Sequence, residues 1–505
     1  MPALSFHRGR TAVALLATYT FLSACDGVTD RQVGAPGIDA ELRALIAAHD
    51  LQGDPSLGRV IPGIEDPVAQ LGMALFFTKG LGGDMDSACV TCHHPTLGGG
   101  DDLALPIGVG ALDVDLLGPG RRHPSNAPTV PRNAPTTFNI VLWDQYLFHD
   151  GRVESLGKEA GQGGRASAIR TPDSAFDMAD AQAGVDLSAA QARFPVTSVE
   201  EMRGEHFEAG NGNGAVRAHL AQRLGNYGAA SDELPGNGWL QRFQTAFNSS
   251  ADAESLVRYD NVAEALAAYQ RSQLFVDTPW KAYVQGDASA LSPAQKRGAL
   301  VFFNGVEAGG ANCASCHSGD FFTDEDFHNL AMPQIGPGKG DGPTGDNDFG
   351  RFRESGEEAM RFAFRTPSLL NVEVTGPYGH AGAYATLREA VVHHLDPEAA
   401  IAAFDWDLAN VPQIAGQGRI LYPNAQANTQ AALDQLRADR SAGLNRIAPV
   451  TLSEQAIDDV VAFLTALTDP CVEDRACLSQ WIPAEDDVDP DGLRLFAVDA
   501  NGDPL

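Results

Sequence analysis

The chain has 505 residues, 44% hydrophobic and 20% charged, with 53 glycines and 30 prolines. That fits a loop-rich globular protein of two or three domains and excludes disorder, coiled coil and collagen. A formal net charge of −31 excludes a nucleic-acid partner and argues against an anionic membrane surface. The seven cysteines fall as a single residue, Cys25, and three close pairs: Cys89/Cys92, Cys313/Cys316 and Cys471/Cys477.

In chain order, residues 1–24 read as a secretory signal. His7, Arg8 and Arg10 precede an apolar run from Thr11 to Leu22 that is too short for an ordinary spanning helix. The run ends in Leu22-Ser23-Ala24-Cys25, which resembles a bacterial lipobox and would make Cys25 a lipid-bearing first residue. A plain signal with Cys25 incidental is the alternative. Both readings export the chain to the periplasm or the outer cell surface, and the membrane is met only through that anchor. Residues 25–55 are then an N-terminal linker.

Two haem-attachment motifs follow, Cys89-Val90-Thr91-Cys92-His93 and Cys313-Ala314-Ser315-Cys316-His317. Each cysteine pair can form thioethers to the vinyl groups of a haem c, and the following histidine reaches the iron as proximal ligand. A zinc site would need the pairs within about 15–20 residues of each other, and these lie more than two hundred apart.

The surroundings of the motifs repeat. Leu71-Gly72-Met73-Ala74-Leu75-Phe76-Phe77 matches Arg297-Gly298-Ala299-Leu300-Val301-Phe302-Phe303 upstream, and Pro135 to Asn139 matches Pro367 to Asn371 downstream. His149-Asp150-Gly151 likewise matches His380-Ala381-Gly382. The predicted fold is therefore mainly α: two tandem cytochrome c-like haem domains with long loops, residues 56–255 and 256–470.

Asn261 to Phe275 reads as a helix joining the halves. Ser292 caps a helix with Pro293 in its first turn, running to Phe303. Thr451 and Glu454 form a capping box before the helical period of Ile457, Val460, Val461, Phe463 and Leu464. Strand signals are weak and short. The Gly/Pro-rich stretch from Gly336 to Gly350 is a loop that wraps a cofactor. Cys471 and Cys477 bracket a short acidic loop and read as a disulfide in an oxidising compartment. The rest of 471–505 is an acidic tail. Its Asp487-x-Asp489-x-Asp491-Gly492 starts like a calcium loop but has Val498 where the terminal glutamate belongs, so it reads as a solvated segment.

The order of the first haem motif, Asn-Ala-Pro-Thr from Asn133, Asp-Gly-Arg from Asp150, the second haem motif, Phe-Thr-Asp-x-x-Phe-His-Asn from Phe322 and Thr-Pro-Ser-Leu-x-Asn from Thr366 resembles the bacterial dihaem cytochrome c peroxidase and MauG family over about residues 60 to 470. The resemblance implies that the haem at His93 meets hydrogen peroxide, that the haem at His317 stores or relays an electron, and that calcium lies between them. It assigns Glu201 as the acid/base on peroxide, Asn133 as a side-chain calcium ligand, and Thr375 and Pro377 as carbonyl ligands. His123 stands where a histidine can cap the first haem, and could equally be a solvated loop histidine.

Two positions depart from the family. His149 replaces the usual tryptophan before Asp-Gly-Arg, and imidazole is much harder to oxidise than indole, so this position is a poor relay between haems. The distal ligand of the second haem, methionine or tyrosine in the family, becomes His394, with His393 as the alternative. A bis-histidine haem has a lower potential than a Met/His haem.

The expected activity is peroxide reduction with electrons from a small cytochrome or other redox protein. The alternatives are a MauG-like oxidation of tryptophan or tyrosine in a protein substrate, and a dihaem electron-transfer cytochrome with no peroxide chemistry.

Overall fold

The computed structural model describes residues 37–505 except 412, 415 and 446. The signal segment and Cys25 lie outside the described residues. The structure is rich in helix, and its strands are only two or three residues long. Residues Ile38–Leu505 form one unit.

Two crossing helix pairs organise it. The Pro67–Phe77 helix packs on Tyr259–Ser272, and Pro293–Phe303 packs on Glu454–Thr465. Each crossing turns on a glycine. A Cβ on Gly72 would stand 1.9 Å from the Ala265 carbonyl oxygen, and one on Gly298 would stand 1.8 Å from that of Asp459. These glycines occupy the same place in the sequence repeat, so the repeat encodes a backbone-to-backbone contact that no larger residue permits. Apolar residues seal each pair: Leu75, Phe76, Leu266 and Tyr269 in one, Phe302, Phe303, Val460 and Phe463 in the other.

Several expectations need correction. The Tyr259–Ser272 helix is not a connector; its buried face, including Val262, Leu266 and Tyr269, lies in the cluster of the Pro67–Phe77 helix. A division at residue 256 therefore assigns this helix to the half it does not pack on. The 25–55 segment contains a helix, Ile38–Ala48, that contacts Pro293–Phe303. Leu42 is buried in that cluster, and Asp39 accepts from Tyr283 Oη at 2.7 Å and Lys296 Nζ at 2.7 Å. Ser292 caps its helix as expected, reciprocated by Gln295. The last long helix is instead capped by Ser453, whose side chain accepts from the Ala456 amide.

The tail is folded, not solvated. Lys79 N donates to Leu493 O at 3.0 Å, Leu495 N to Phe77 O at 2.8 Å, and Val498 pairs with the 115–117 segment. Asp491 is fully buried because Thr78 Oγ1 and Trp239 Nε1 donate to its Oδ2 at 2.8 and 2.9 Å. The Asp489 carboxylate accepts from the amides of Asp491, Gly492 and Arg494, so the acidic run builds its own turn. The Cys471–Cys477 disulfide is formed.

Candidate haem centres and peroxide pocket

Each haem motif forms a single 3-10 turn, Cys89–Thr91 and Cys313–Ser315, with its histidine one position beyond the second cysteine. The four cysteines are unpaired, and burial pushes the Cys89 and Cys313 thiols up to about 12, far from a reactive thiolate. His93 Nδ1 is 3.1 Å from Gly99 O, and His317 Nδ1 is 3.1 Å from Phe322 O. A backbone carbonyl can only accept, so the proton sits on Nδ1 and the Nε2 lone pair is left for a metal. Burial holds both rings neutral: His93 is lowered, and His317 falls to about 4 with the neighbouring His394 adding to the effect.

His393 and His394 end the Leu387–Leu395 helix and differ in what they have left to offer. His393 is fully buried with both nitrogens used: Tyr384 Oη lies 2.7 Å from Nδ1 and Leu330 O lies 2.9 Å from Nε2. His394 Nδ1 donates to Ala390 O at 2.7 Å, and no such partner holds Nε2. The His394 and His317 ring centroids are 6.3 Å apart. With metal–nitrogen bonds of about 2 Å and each ring centre about 1 Å behind its nitrogen, two imidazoles on one metal stand about 6 Å apart.

Glu201 lies in a single π-helical turn, Val199–Arg203, capped by Ser198. Such turns are frequent at functional sites. Gly108 lies against this turn; a Cβ there would come within 2.4 Å of Glu201 O. Burial raises the Glu201 carboxyl, with Arg152 and Lys339 opposing. Its charge adds to the burial that raises both Cys89 and Cys92, so the carboxylate lies near the first haem motif.

His123 is half-buried in a loop, with Nδ1 2.7 Å from Ser125 Oγ and its ring against Gly110. His149 Nε2 is 3.0 Å from Asn133 O, and burial beside Arg132 lowers it to about 4. That ring braces the Asn133 backbone. Its counterpart in the repeat, His380, stacks on Phe364 at 3.8 Å, and His380 O accepts from Asn133 N at 2.9 Å. Asn133 Nδ2 donates to Leu103 O at 2.9 Å and Ala104 O at 3.3 Å, which leaves Oδ1 as a free oxygen. Gly98 O accepts from Thr136 Oγ1 at 2.6 Å, and a Cβ on Gly98 would meet Val374 O at 1.9 Å. Thus the segments bearing Asn133 and Thr375–Pro377 adjoin the same loop.

The residues missed in sequence are the ionic ones that tie residues 132–154 to residues 348–351. Arg132 is buried and bonded to Asp150 at 2.6 Å and Asp348 at 2.7 Å, and Arg351 bonds Glu154 at 2.7 Å. Arg365 lies 3.3 Å over the Trp143 ring, and burial lowers it to about 9. Only the Gly/Pro-rich loop hinted at this wiring.

Two attachment turns with iron-ready histidines, and a half-buried carboxylate near one of them, define a c-type dihaem protein. Sequence comparisons show what it is similar to. Residues 66–289 match the family model described as di-haem cytochrome c peroxidase. The methylamine utilization protein MauG of Methylorubrum extorquens is 29% identical over 74% of this chain and 80% of that protein. The cytochrome c551 peroxidase of Pseudomonas aeruginosa is 25% identical over 75% of this chain and 86% of that protein. A MauG-like protein associated with microbial copper homeostasis shares the fold, with TM-score 0.51 and 22% identity over 84% of this chain and 95% of that one. The chain is similar to the dihaem cytochrome c peroxidases and MauG proteins. That similarity supports two haems and a dihaem peroxidase-type function, that of a peroxide-dependent oxidoreductase.

Proposed function

We propose that the chain is an exported dihaem peroxidase built from two cytochrome c-like halves, in which peroxide is cleaved beside Glu201. The single observation that carries this reading is Glu201, half-buried in its π-turn and near enough to Cys89 and Cys92 for its charge to act on both thiols. Cys89, Cys92 and His93 would hold one haem, and Cys313, Cys316 and His317 the other, with His394 opposite His317. When bound, the haems supply the electrons that reduce hydrogen peroxide, which with two protons becomes two waters.

Glu201 takes the proton from the oxygen nearer the first haem and delivers it to the far oxygen, which leaves as water. Its burial keeps bulk water from competing for that proton. Electrons enter from a small cytochrome or another redox protein. Asn133 Oδ1 and the carbonyls of Thr375 and Pro377 are hard oxygen donors suited to calcium, with His149 bracing Asn133. His123, bonded to its own loop, acts there and not as an iron ligand. Export runs through residues 1–24, with lipid at Cys25.

One observation favours a second reading. An imidazole at His394 in place of methionine stabilises oxidised iron, which suits oxidation of a tryptophan or tyrosine of a protein substrate, as in MauG.

The test is stopped-flow mixing of the holoprotein with hydrogen peroxide. Glu201→Gln should slow the reaction about a hundredfold or more while both haems remain attached; an unchanged rate removes Glu201 from the mechanism. Steady turnover with a reduced cytochrome supports the peroxidase, and turnover only with a protein substrate supports the second reading.

A further inference from the structure

The turn that carries Glu201 rests on two glycine backbones. At the first, a Cβ on Gly83 would stand 1.9 Å from Arg203 O, and Gly83 N donates to Met202 O at 2.8 Å. At the second, a Cβ on Gly108 would stand 2.3 Å from Glu200 O and 2.4 Å from Glu201 O, and Val109 N donates to Glu200 O at 3.3 Å. Neither contact has room for a side chain.

Each glycine segment is held by a buried arginine. Arg223 donates from Nη1 to Gly82 O at 2.8 Å and Gly80 O at 3.3 Å, and its Nε pairs with Glu233 at 2.7 Å. Arg121 holds the other segment without such a countercharge. Its side chain is fully buried, and its bonds all go to backbone carbonyls: Nε to Ile107 O at 2.7 Å, Nη2 to Gly108 O at 2.9 Å, and Nη1 to Asp113 O, Val114 O and Leu116 O at 3.3, 3.1 and 3.1 Å. A guanidinium that gives up its hydration for neutral acceptors is costly to bury, and what it secures here is the path of residues 107–116. The rigid fork ties Ile107 and Gly108 to the returning arm of their own loop. Gly110 N donates to Asp86 Oδ2 at 2.6 Å, which fastens the same loop just upstream of Cys89.

We propose that Arg121, acting through Gly108, is a positioning residue for peroxide cleavage: it fixes the backbone on which the Glu201 turn rests. This rests on the role given to Glu201 above. A general base works only within about 2.6–3.2 Å of the atom whose proton it takes, and a misplacement of about 1 Å can cost on the order of a hundredfold. A carboxylate carried on one short turn therefore depends on what that turn is set against. The proton passes from peroxide to Glu201 and on to the departing oxygen, and Arg121 exchanges none.

The experiment uses the holoprotein and hydrogen peroxide. The second-order rate is measured for the wild type, Arg121→Lys, Gly108→Ala and Glu201→Gln, and for each of the first two variants combined with Glu201→Gln. Infrared difference spectra across an acid titration follow the carboxyl band that Glu201→Gln removes. Lysine keeps the charge but cannot reproduce the fork, whereas Gly108→Ala leaves Arg121 intact and presses on the turn directly. The expected result is a rate about tenfold lower or more in both variants, with both haems attached and the Glu201 band displaced. Neither substitution should slow the Glu201→Gln protein further.

If Arg121→Lys costs as much in the Glu201→Gln background as in the wild type, the arginine supports the fold alone; the proposal fails and the role of Glu201 stands. An unchanged rate and band in Arg121→Lys overturn it as well. Should Arg121→Lys not take up haem, Gly108→Ala decides: a loss of rate that vanishes in the Glu201→Gln background supports the proposal, and no loss overturns it. If Glu201→Gln itself leaves the rate unchanged, the reading of Glu201 fails and the proposal with it.

Discussion

His393 and His394 are adjacent on one helix, and only their hydrogen bonds separate their roles. His394→Ala should remove a low-spin signal from the oxidised protein, because the ring opposite His317 is lost. His393→Ala should keep that signal and cost about 1–3 kcal/mol in denaturant unfolding, since Tyr384 Oη and Leu330 O lose their partner. The reverse pattern would exchange the two assignments.

The buried histidines also set an acid limit. His380 and His393 are lowered from 6.5 to about 3, and His149 to about 4, burial being the main cause in each. Between pH 6.5 and about 4 the unfolded chain binds protons on these rings that the folded chain does not, so stability rises with pH through that window. Each contributes a slope of up to about 1.4 kcal/mol per pH unit. Asp150 and Asp348, held below the usual carboxylate range chiefly by Arg132 against the cost of burial, act with the same sign below pH 3.8. Denaturant midpoints measured from pH 7 to pH 4 should therefore fall steadily. A flat profile would mean that these rings charge in the folded protein.

Among the elements, the two helix crossings are the most exacting. Gly72→Ala and Gly298→Ala would each force a methyl into a carbonyl oxygen under 2 Å away, where overpacking costs about 1–3 kcal/mol or more. Urea unfolding should register the loss for both variants, and a neutral Gly298→Ala would show that the second crossing relaxes. These glycines were legible because the repeat set them in register with each other and with the following haem motif. Ser292 was legible because its capping partners are local.

The tail was not legible. Asp491 looks like any acid in a chain with 66 of them, and its donors Thr78 and Trp239 lie 413 and 252 positions away. The Ile38–Ala48 helix was missed because its one fully buried apolar residue, Leu42, gives little periodic signal.

Across the molecule as a whole, two like helix crossings recur, and the two haem motifs are made unequal by what lies near each. The first motif has Glu201 near its cysteines; the second has the His394 ring beside His317. Attachment chemistry is local in sequence, so both haem turns could be read from five residues each, whereas the unequal faces depend on residues far along the chain from the motifs they serve. The inequality is the basis for assigning peroxide to one haem and electron relay to the other. Electron paramagnetic resonance of the fully oxidised holoprotein tests it most directly. One high-spin haem, which hydrogen peroxide perturbs, and one low-spin bis-histidine haem are the result predicted here. Two low-spin haems indifferent to peroxide would contradict it.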